Sequence, residues 1–356
     1  MKNPFKFGTV VENEYFTDRI QELKKIERTL NSENHLIMIS PRRFGKSSLV
    51  IKAAKETGRP YILLNLQNVV STEDFAAKLL KAIFKIYRWE KVKHLMDHFR
   101  FMPTISTNPM NDGVDISFQP VTNSIILLED AMETLEKVSS NEKRLIVIFD
   151  EFQEILQIEK GLDKQLRAIM QLQNNLNYII LGSQESMMEE IFERKKSPFY
   201  HFGLLLRLDK IPYNDFYRYL SERLTNILDN NAEKITDEIL SLTKQHPYYT
   251  QQLASQVWEM VYYESVKDNI VETAIERLIQ NHDLDYERLW VGFNRMDKRT
   301  LQMLCKKQNP LRDYKTPTST AYSSIKRMMK QGIIIHTSGY EFEDPFFERW
   351  LSNRIN

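Results

Sequence analysis

The segment Ser40-Pro-Arg-Arg-Phe-Gly45-Lys46-Ser47 constrains this chain more than any other. It stands between a short apolar run, His35–Ile39, and a helical pattern that starts near Lys46 and stops at Gly58. A glycine followed by Lys-Ser at a strand–loop–helix junction matches the spacing of a loop that cradles phosphate. Gly45 lets the backbone approach an anion, and the N–H groups of residues 43–48 would form a nest at a helix N-terminus. Lys46 would place a point charge on the β- and γ-phosphates, and the Ser47 hydroxyl would be a Mg²⁺ ligand. The expected nucleotide contacts here are Pro41, Arg42, Arg43, Phe44, Gly45, Lys46, Ser47 and Ser48. Arg42 and Arg43 either neutralise phosphate or are solvated. Ser40 stands where the pattern has glycine, and a positive φ there would strain it.

The surrounding pattern supplies the sheet such a loop needs. Apolar runs at Tyr61–Leu66, Leu145–Phe149, Tyr178–Leu181 and Leu204–Leu208 read as further strands. Helical periodicity over 14–31, 72–88 and 124–138 alternates with them, which implies parallel crossovers and a sheet covered on both faces. The fold class is an α/β P-loop NTPase with a parallel five-stranded sheet. Residues 89–122 break the rhythm with Pro103, Pro109 and Pro120, and Asp112-Gly113 suggests a hairpin within an insertion. Beyond residue 212 the strand signal ends. Segments 214–228, 235–244, 247–264 and 270–289 are helical, a helical lid. Helices near 297–306 and 318–331, then a hairpin through Ser338-Gly339, describe a winged helix-turn-helix. The expected domains are 1–211, 212–290 and 291–356.

Arg144-Leu-Ile-Val-Ile-Phe-Asp150-Glu151 puts two carboxylates at the C-terminal edge of a parallel strand, where ligands bind in open α/β sheets. Asp150 would hold Mg²⁺ and Glu151 would polarise the attacking water. The pair would otherwise cap the next helix. At the next such edge, Gly182-Ser183-Gln184, either Ser183 or Gln184 would sense the γ-phosphate, unless a serine there is an N-cap. Arg207 reads as a buried structural cation, as a phosphate contact, or as neither. His246-Pro247-Tyr248-Tyr249 opens a helix, with Pro247 at its first turn and an adenine contact as the alternative.

Composition narrows the classes. Lys+Arg is 49 and Asp+Glu 48, a formal charge of +1, so a globally basic nucleic-acid coat is excluded. The one cysteine, Cys305, builds no disulfide framework and no Cys-based zinc site within one chain. No apolar run reaches the length of a signal peptide or membrane span, so a cytoplasmic protein is expected with no membrane partner. A local basic excess remains: residues 295–356 hold 12 Lys/Arg against 6 Asp/Glu. Ser323, Lys326, Arg327 and Lys330 on the 318–331 helix would meet DNA phosphates if that module reads DNA. Otherwise the module packs within the chain.

With these residues in hand, the chain resembles the archaeal-type ATPases of the STAND branch of the AAA+ (ASCE-type) superfamily. Phe16-Thr-Asp18-Arg19-Ile-Gln-Glu22-Leu23 is similar to the family's F-x-G-R-x-x-E-L segment near the adenine, which carries over Arg19 as a nucleotide contact. Residues 40–47 resemble its G-P-R-R-x-G-K-[ST] loop (Walker A), and Phe149–Gln153 its D-E-[FI]-Q acidic motif (Walker B). Glu343-Asp-Pro-Phe-Phe-Glu-Arg-Trp350 resembles its D-P-[LF]-F-x-x-W ending. Asp18 and Ser40 stand where the family has glycine. Leu204 follows Gly203 where arginine is expected, and Gln245-His246-Pro247 replaces Gly-x-Pro. The resemblance implies ATP or ADP with Mg²⁺, catalysis by Glu151, Lys46, Ser183 and Gln184, and a signalling or regulatory switch with a protein partner. Without an arginine at 204, hydrolysis is expected to be slow. The alternative is a DNA-binding transcriptional or mobile-element regulator whose nucleotide site only sets conformation.

Overall fold

The computed structural model describes residues 2–87, 92, 94–95, 99–100, 104–108, 113–117, 124–266, 268–313, 317–337 and 339–355. The chain folds as two units. One comprises residues 20–40 and 49–208, the other residues 1–19, 41–48 and 209–356.

The first unit opens with α1 (Ile20–Leu30), shorter than the periodicity over 14–31 suggests. Asp18 and Arg19 hold φ of 40° and 69°, left-handed values that no right-handed helix contains. The strand β1 (Leu36–Ile39) is buried throughout. The helix α2 (Lys46–Glu56) follows the phosphate-type loop, and Gly58 at φ 65° ends it as expected. Then come β2 (Tyr61–Asn65) and α3 (Thr72–Ile86). Ser71 caps α3 by accepting the Asp74 N–H at 3.2 Å, and Phe75, Leu79 and Ile83 form its buried stripe. The strands β3 (Thr104–Asn108) and β4 (Gly113–Ser117) pair antiparallel, with Asn108 opposite Gly113, so the hairpin is present. Most of the expected insertion at 89–122, including Asn111-Asp112, lies outside the described residues.

The unit continues with α4 (Ser124–Val138), β5 (Leu145–Asp150), α5 (Ile155–Ile158), α6 (Leu162–Met170), β6 (Leu176–Gly182), α7 (Glu185–Phe192) and β7 (Leu204–Arg207). The sheet order is β2-β5-β6-β1-β7, every neighbour parallel. The inner strands β5 and β6 are fully buried, as near-continuous apolar runs in a doubly covered sheet must be. The edge strand β7 departs from that pattern: Leu204 is 51% exposed, because the strand has a neighbour on one side only. Register places Ile39 beside Gly182 and Phe149 beside Ile180. Ser40, Asp150, Glu151 and Ser183 therefore gather at one carboxyl edge.

The second unit is mainly helical: α8 (Tyr213–Leu228), α9 (Ala232–Thr243), α10 (Pro247–Glu264), α11 (Ile270–Asn281) and α12 (Asp283–Gly292). The expected helix over 270–289 divides at His282, whose φ −107° and ψ 4° interrupt it. Then follow α13 (Arg295–Cys305), α14 (Thr318–Lys330), the hairpin β8 (Ile334–His336) with β9 (Tyr340–Phe342), and α15 (Pro345–Ile355). One core joins these elements, with Leu220, Ile239, Leu253, Trp258, Phe346 and Phe347 all buried. Each such side chain contributes roughly 1.5–3 kcal/mol. Trp350 Nε1 donates to Asp283 Oδ1 at 2.7 Å, fixing α15 on α12.

Candidate functional site

The loop that leaves β1 has two left-handed residues. Gly45 has φ 88°, a value that suits glycine, and a Cβ there would meet no atom within 4 Å. Arg43 has φ 62° with a full side chain. Ser40 has no positive φ, so serine in place of the motif's first glycine causes no backbone strain. Asp18, the other glycine replacement, does sit left-handed, where aspartate is among the better tolerated residues.

Lys46 is buried and folds back across the loop, its Nζ donating to Pro41 O at 3.2 Å. Ser47 is half-buried in the first turn of α2. Ser48 is buried, and its Oγ accepts the Val11 N–H at 3.0 Å. Arg19 is buried and donates from Nη2 to Phe44 O at 3.4 Å, which places this expected contact against the loop. Arg42 is exposed. The Arg43 guanidinium lies over the Tyr248 ring, 4.4 Å from its centroid, and Nη1 donates to the Tyr249 hydroxyl at 3.4 Å. Phe44 is buried edge-on to the His246 ring at 4.8 Å. His246 is the N-cap of α10, its Nδ1 accepting the Tyr248 N–H at 3.3 Å, and Pro247 occupies the first turn.

At the carboxyl edge of the sheet, Asp150 ends β5 and is buried, and its Oδ1 accepts the Glu151 N–H at 2.9 Å. Glu151 has φ 54° and ψ 47° and makes no side-chain cap, so the capping alternative does not apply. Its Oε2 instead accepts the Ser183 hydroxyl at 2.6 Å and the Gln153 amide at 2.6 Å. Two short donors on one oxygen fix the direction of the carboxylate. Ser183 is thus joined to Glu151 rather than capping α7, while Gln184 takes the N-cap position without a side-chain bond. A Cβ at Gly182 would collide with the Met188 side chain, which explains that strand ending by packing.

Sequence reasoning passed over several residues. Gln153 was visible inside the acidic motif, two positions after Glu151 on a 3₁₀ turn, and it is fully buried. Tyr249 and Glu343 stood inside quoted motifs, but no local spacing pointed to their pairing across 94 residues. Two of the candidate cations have carboxylate partners. Arg207 is neither buried nor aimed at a phosphate site: it is exposed and pairs with Glu189 at 3.0 Å and Glu193 at 2.5 Å. Arg327, exposed on the helix proposed to meet DNA, pairs with buried Asp297, which also accepts the Ser324 hydroxyl at 2.5 Å, tying α14 to α13. Lys326 lies over the Tyr322 ring at 4.9 Å.

The Ser47 hydroxyl in one unit and the Asp150 carboxylate in the other are each the hard oxygen type that Mg²⁺ takes. Among the described residues, no group of three or more His, Cys, Asp or Glu side chains is placed to hold a metal by itself. No helix among them is long and apolar enough to cross a membrane.

A family model described as an ATPase domain predominantly from Archaea matches residues 16–253. No curated protein matches the chain significantly. Among solved structures, the Walker-type ATPase PABY2304 of Pyrococcus abyssi aligns at a TM-score of 0.68 and 17% identity, covering 96% of this chain and 97% of that one. The ORC2 protein of Aeropyrum pernix, in ADPNP–ADP complexes, aligns at 0.57 and 14%, covering 98% and 96%. The ORC1 protein of the same organism, in complex with DNA, aligns at 0.51 and 13%, covering 95% and 93%. At these identities the likeness establishes the fold alone, a parallel α/β sheet of the P-loop ATPase kind.

Proposed function

The chain belongs to the family of ATPase domains predominantly from Archaea, and on that premise we propose that this ATP-hydrolysing P-loop enzyme is a Mg²⁺-dependent switch of the STAND type with a regulatory output. The observation that carries the reading is the pair of strained, tightly held functional residues, Arg43 in the loop and Glu151 at the strand edge. In this reading the amides of residues 43–48 and the Lys46 ammonium hold the phosphates, and Arg19 and Pro247 border the base. The Ser47 hydroxyl and the Asp150 carboxylate would serve as Mg²⁺ ligands, and the ion would supply neutralisation of developing phosphate charge. Glu151, aimed by Ser183 and Gln153, takes the proton of the attacking water. Gln184 is the further candidate for orienting that water. The strand-five arginine of the family is absent at Leu204, so turnover is slow.

Isothermal titration with Lys46→Ala tests the site. Losing a charge-assisted contact of about 1.5–3 kcal/mol lowers nucleotide affinity roughly 10- to 150-fold. Affinity within twofold of wild type would reject the loop assignment. Turnover undiminished in EDTA would reject the metal.

A second reading assigns DNA binding to residues 295–356, folded as a winged helix. It is favoured by a cavity of about 370 Å³ lined by Arg295, Lys298, Arg299 and Gln302 on α13. Arg299 also pairs with Asp313 at 2.7 Å, which leaves Arg295 and Lys298 as the phosphate contacts. Replacing both by Ala should reduce the slope of log K against log salt by about two. Anisotropy titrations showing no duplex binding by wild type at micromolar protein would leave the module as an internal packing element.

A further inference from the structure

The phosphate loop is anchored from the far end of the chain. Arg43 Nη1 donates to the Tyr249 hydroxyl at 3.4 Å, and that hydroxyl donates to Glu343 Oε2 at 3.1 Å. The second Glu343 oxygen faces His246 Nε2 at 3.4 Å, and neither of these buried atoms has a hydrogen-bond partner. The His246 ring closes the group, touching Tyr249 at 4.6 Å and Phe44 of the loop at 4.8 Å between centroids. Tyr249, His246 and Glu343 are all nine-tenths or more buried. Burial and the nearby Asp344 and Glu343 push the Tyr249 phenol far above its ordinary range, so it stays a donor. On the other side of Glu343, Asp344 Oδ2 accepts the Tyr286 hydroxyl at 3.0 Å, which holds the segment after β9 in place.

These contacts converge on a residue that needs them. Arg43 sits at φ 62°, which a side-chain-bearing residue adopts only when its surroundings enforce it. A guanidinium clamped between the Tyr248 face and the Tyr249 hydroxyl supplies that enforcement. We propose that Tyr249 and Glu343 are positioning residues for nucleotide binding: through the Arg43 side chain they hold the phosphate loop in its left-handed turn, so that the C-terminal segment sets the loop's affinity for nucleotide. The inference rests on reading residues 41–48 as the phosphate site. Neither residue touches the phosphates; both act through Arg43.

The test is a double-mutant cycle read as the Kd for ADP by isothermal titration of the full chain. Tyr249→Phe removes only the hydroxyl and should weaken ADP binding about five- to tenfold, the upper scale of one ordinary lost hydrogen bond, since the hydroxyl acts on nucleotide only through Arg43. Arg43→Gly gives residue 43 free access to positive φ and removes the anchored side chain together. In that background Tyr249→Phe should change the Kd by less than about twofold, because non-additivity marks residues that act as one unit. Equal losses in both backgrounds, or no loss in wild type, would overturn the proposal, since a merely structural hydroxyl would matter regardless of residue 43. If Tyr249→Phe does not fold, Glu343→Gln takes its place in the same cycle with the same two outcomes. Lys46→Ala is measured alongside. Wild-type affinity in that variant would reject the site itself, whereas lost affinity there with an additive cycle would reject only the anchor.

Discussion

Two residues proposed to serve the nucleotide site, Glu151 and Arg43, adopt the same left-handed backbone, and they are held there by opposite means. Glu151, at φ 54°, is secured by groups at the same sheet edge: Asp150 beside it, Gln153 two residues on, and Ser183 from the next strand. Arg43, at φ 62°, is secured by Tyr249, 206 residues away, which is itself held by Glu343. The first arrangement comes with the sheet: register that sets Phe149 beside Ile180 brings the following residues together. The second exists only if the C-terminal helices and hairpin are folded on the loop. The carboxylate at the sheet edge is held by near neighbours, and the proposed anchor of Arg43 by distant ones.

The comparison breaks most visibly at Glu151 itself. Glu151→Gln should keep nucleotide binding and lose about 10²- to 10⁴-fold in hydrolysis, the range of a positioned general base. Single-turnover assays with ATP check this, and equal turnover would move the role to Gln184. Ser183→Ala removes one of the two donors on Glu151 Oε2 and should lower kcat by about tenfold, with the Kd for ADP unchanged, because the loss is one hydrogen bond that aims the base. A change in Kd without a change in kcat would contradict the local character of that edge.

A second long-range anchor sharpens the same contrast. Asp297→Ala strips the partner from Arg327 and Ser324 and should cost about 1–3 kcal/mol in the denaturation of the full chain, moderated because Arg327 reaches water. Wild-type stability would show that α13 and α14 hold together without it. The smallest effect is expected at Ser40→Gly. Since Ser40 lies outside the left-handed region, the change should cost no more than about 1 kcal/mol, from added freedom in the unfolded chain, and leave ADP affinity within twofold. A large gain in affinity would mean that the loop needs glycine there after all.

Much of the chain was legible because its signals are short-range. Apolar runs of strand length, helical periodicity and Gly58 as a stop fixed β1, α2, β5 and β6 to within a residue or two, since backbone hydrogen bonding and burial act over a few positions. The Gly45-Lys46-Ser47 loop and the Asp150-Glu151 edge were readable for the same reason, each being a local spacing of residue types with one chemistry. The limits of local reading show at the expected helix 14–31, cut by the left-handed Asp18 and Arg19, and at 270–289, cut at His282. Periodicity reports which face is apolar and carries no information about a single residue's φ.

The sequence by itself determined where strands, helices and the two chemical motifs lie, because those depend on neighbours along the chain. Only the tertiary structure decided what each charged side chain is for. Arg43, Arg207 and Arg327 look alike as residues on loops, strands and helices. One is clamped by Tyr248 and Tyr249, one pairs with Glu189 and Glu193 on the surface, and one binds a buried aspartate. A cation's role follows from which carboxylate, ring or hydroxyl lies within about 4 Å, where Coulomb and hydrogen-bond terms become decisive, and that neighbour is chosen by folding rather than by spacing in the sequence.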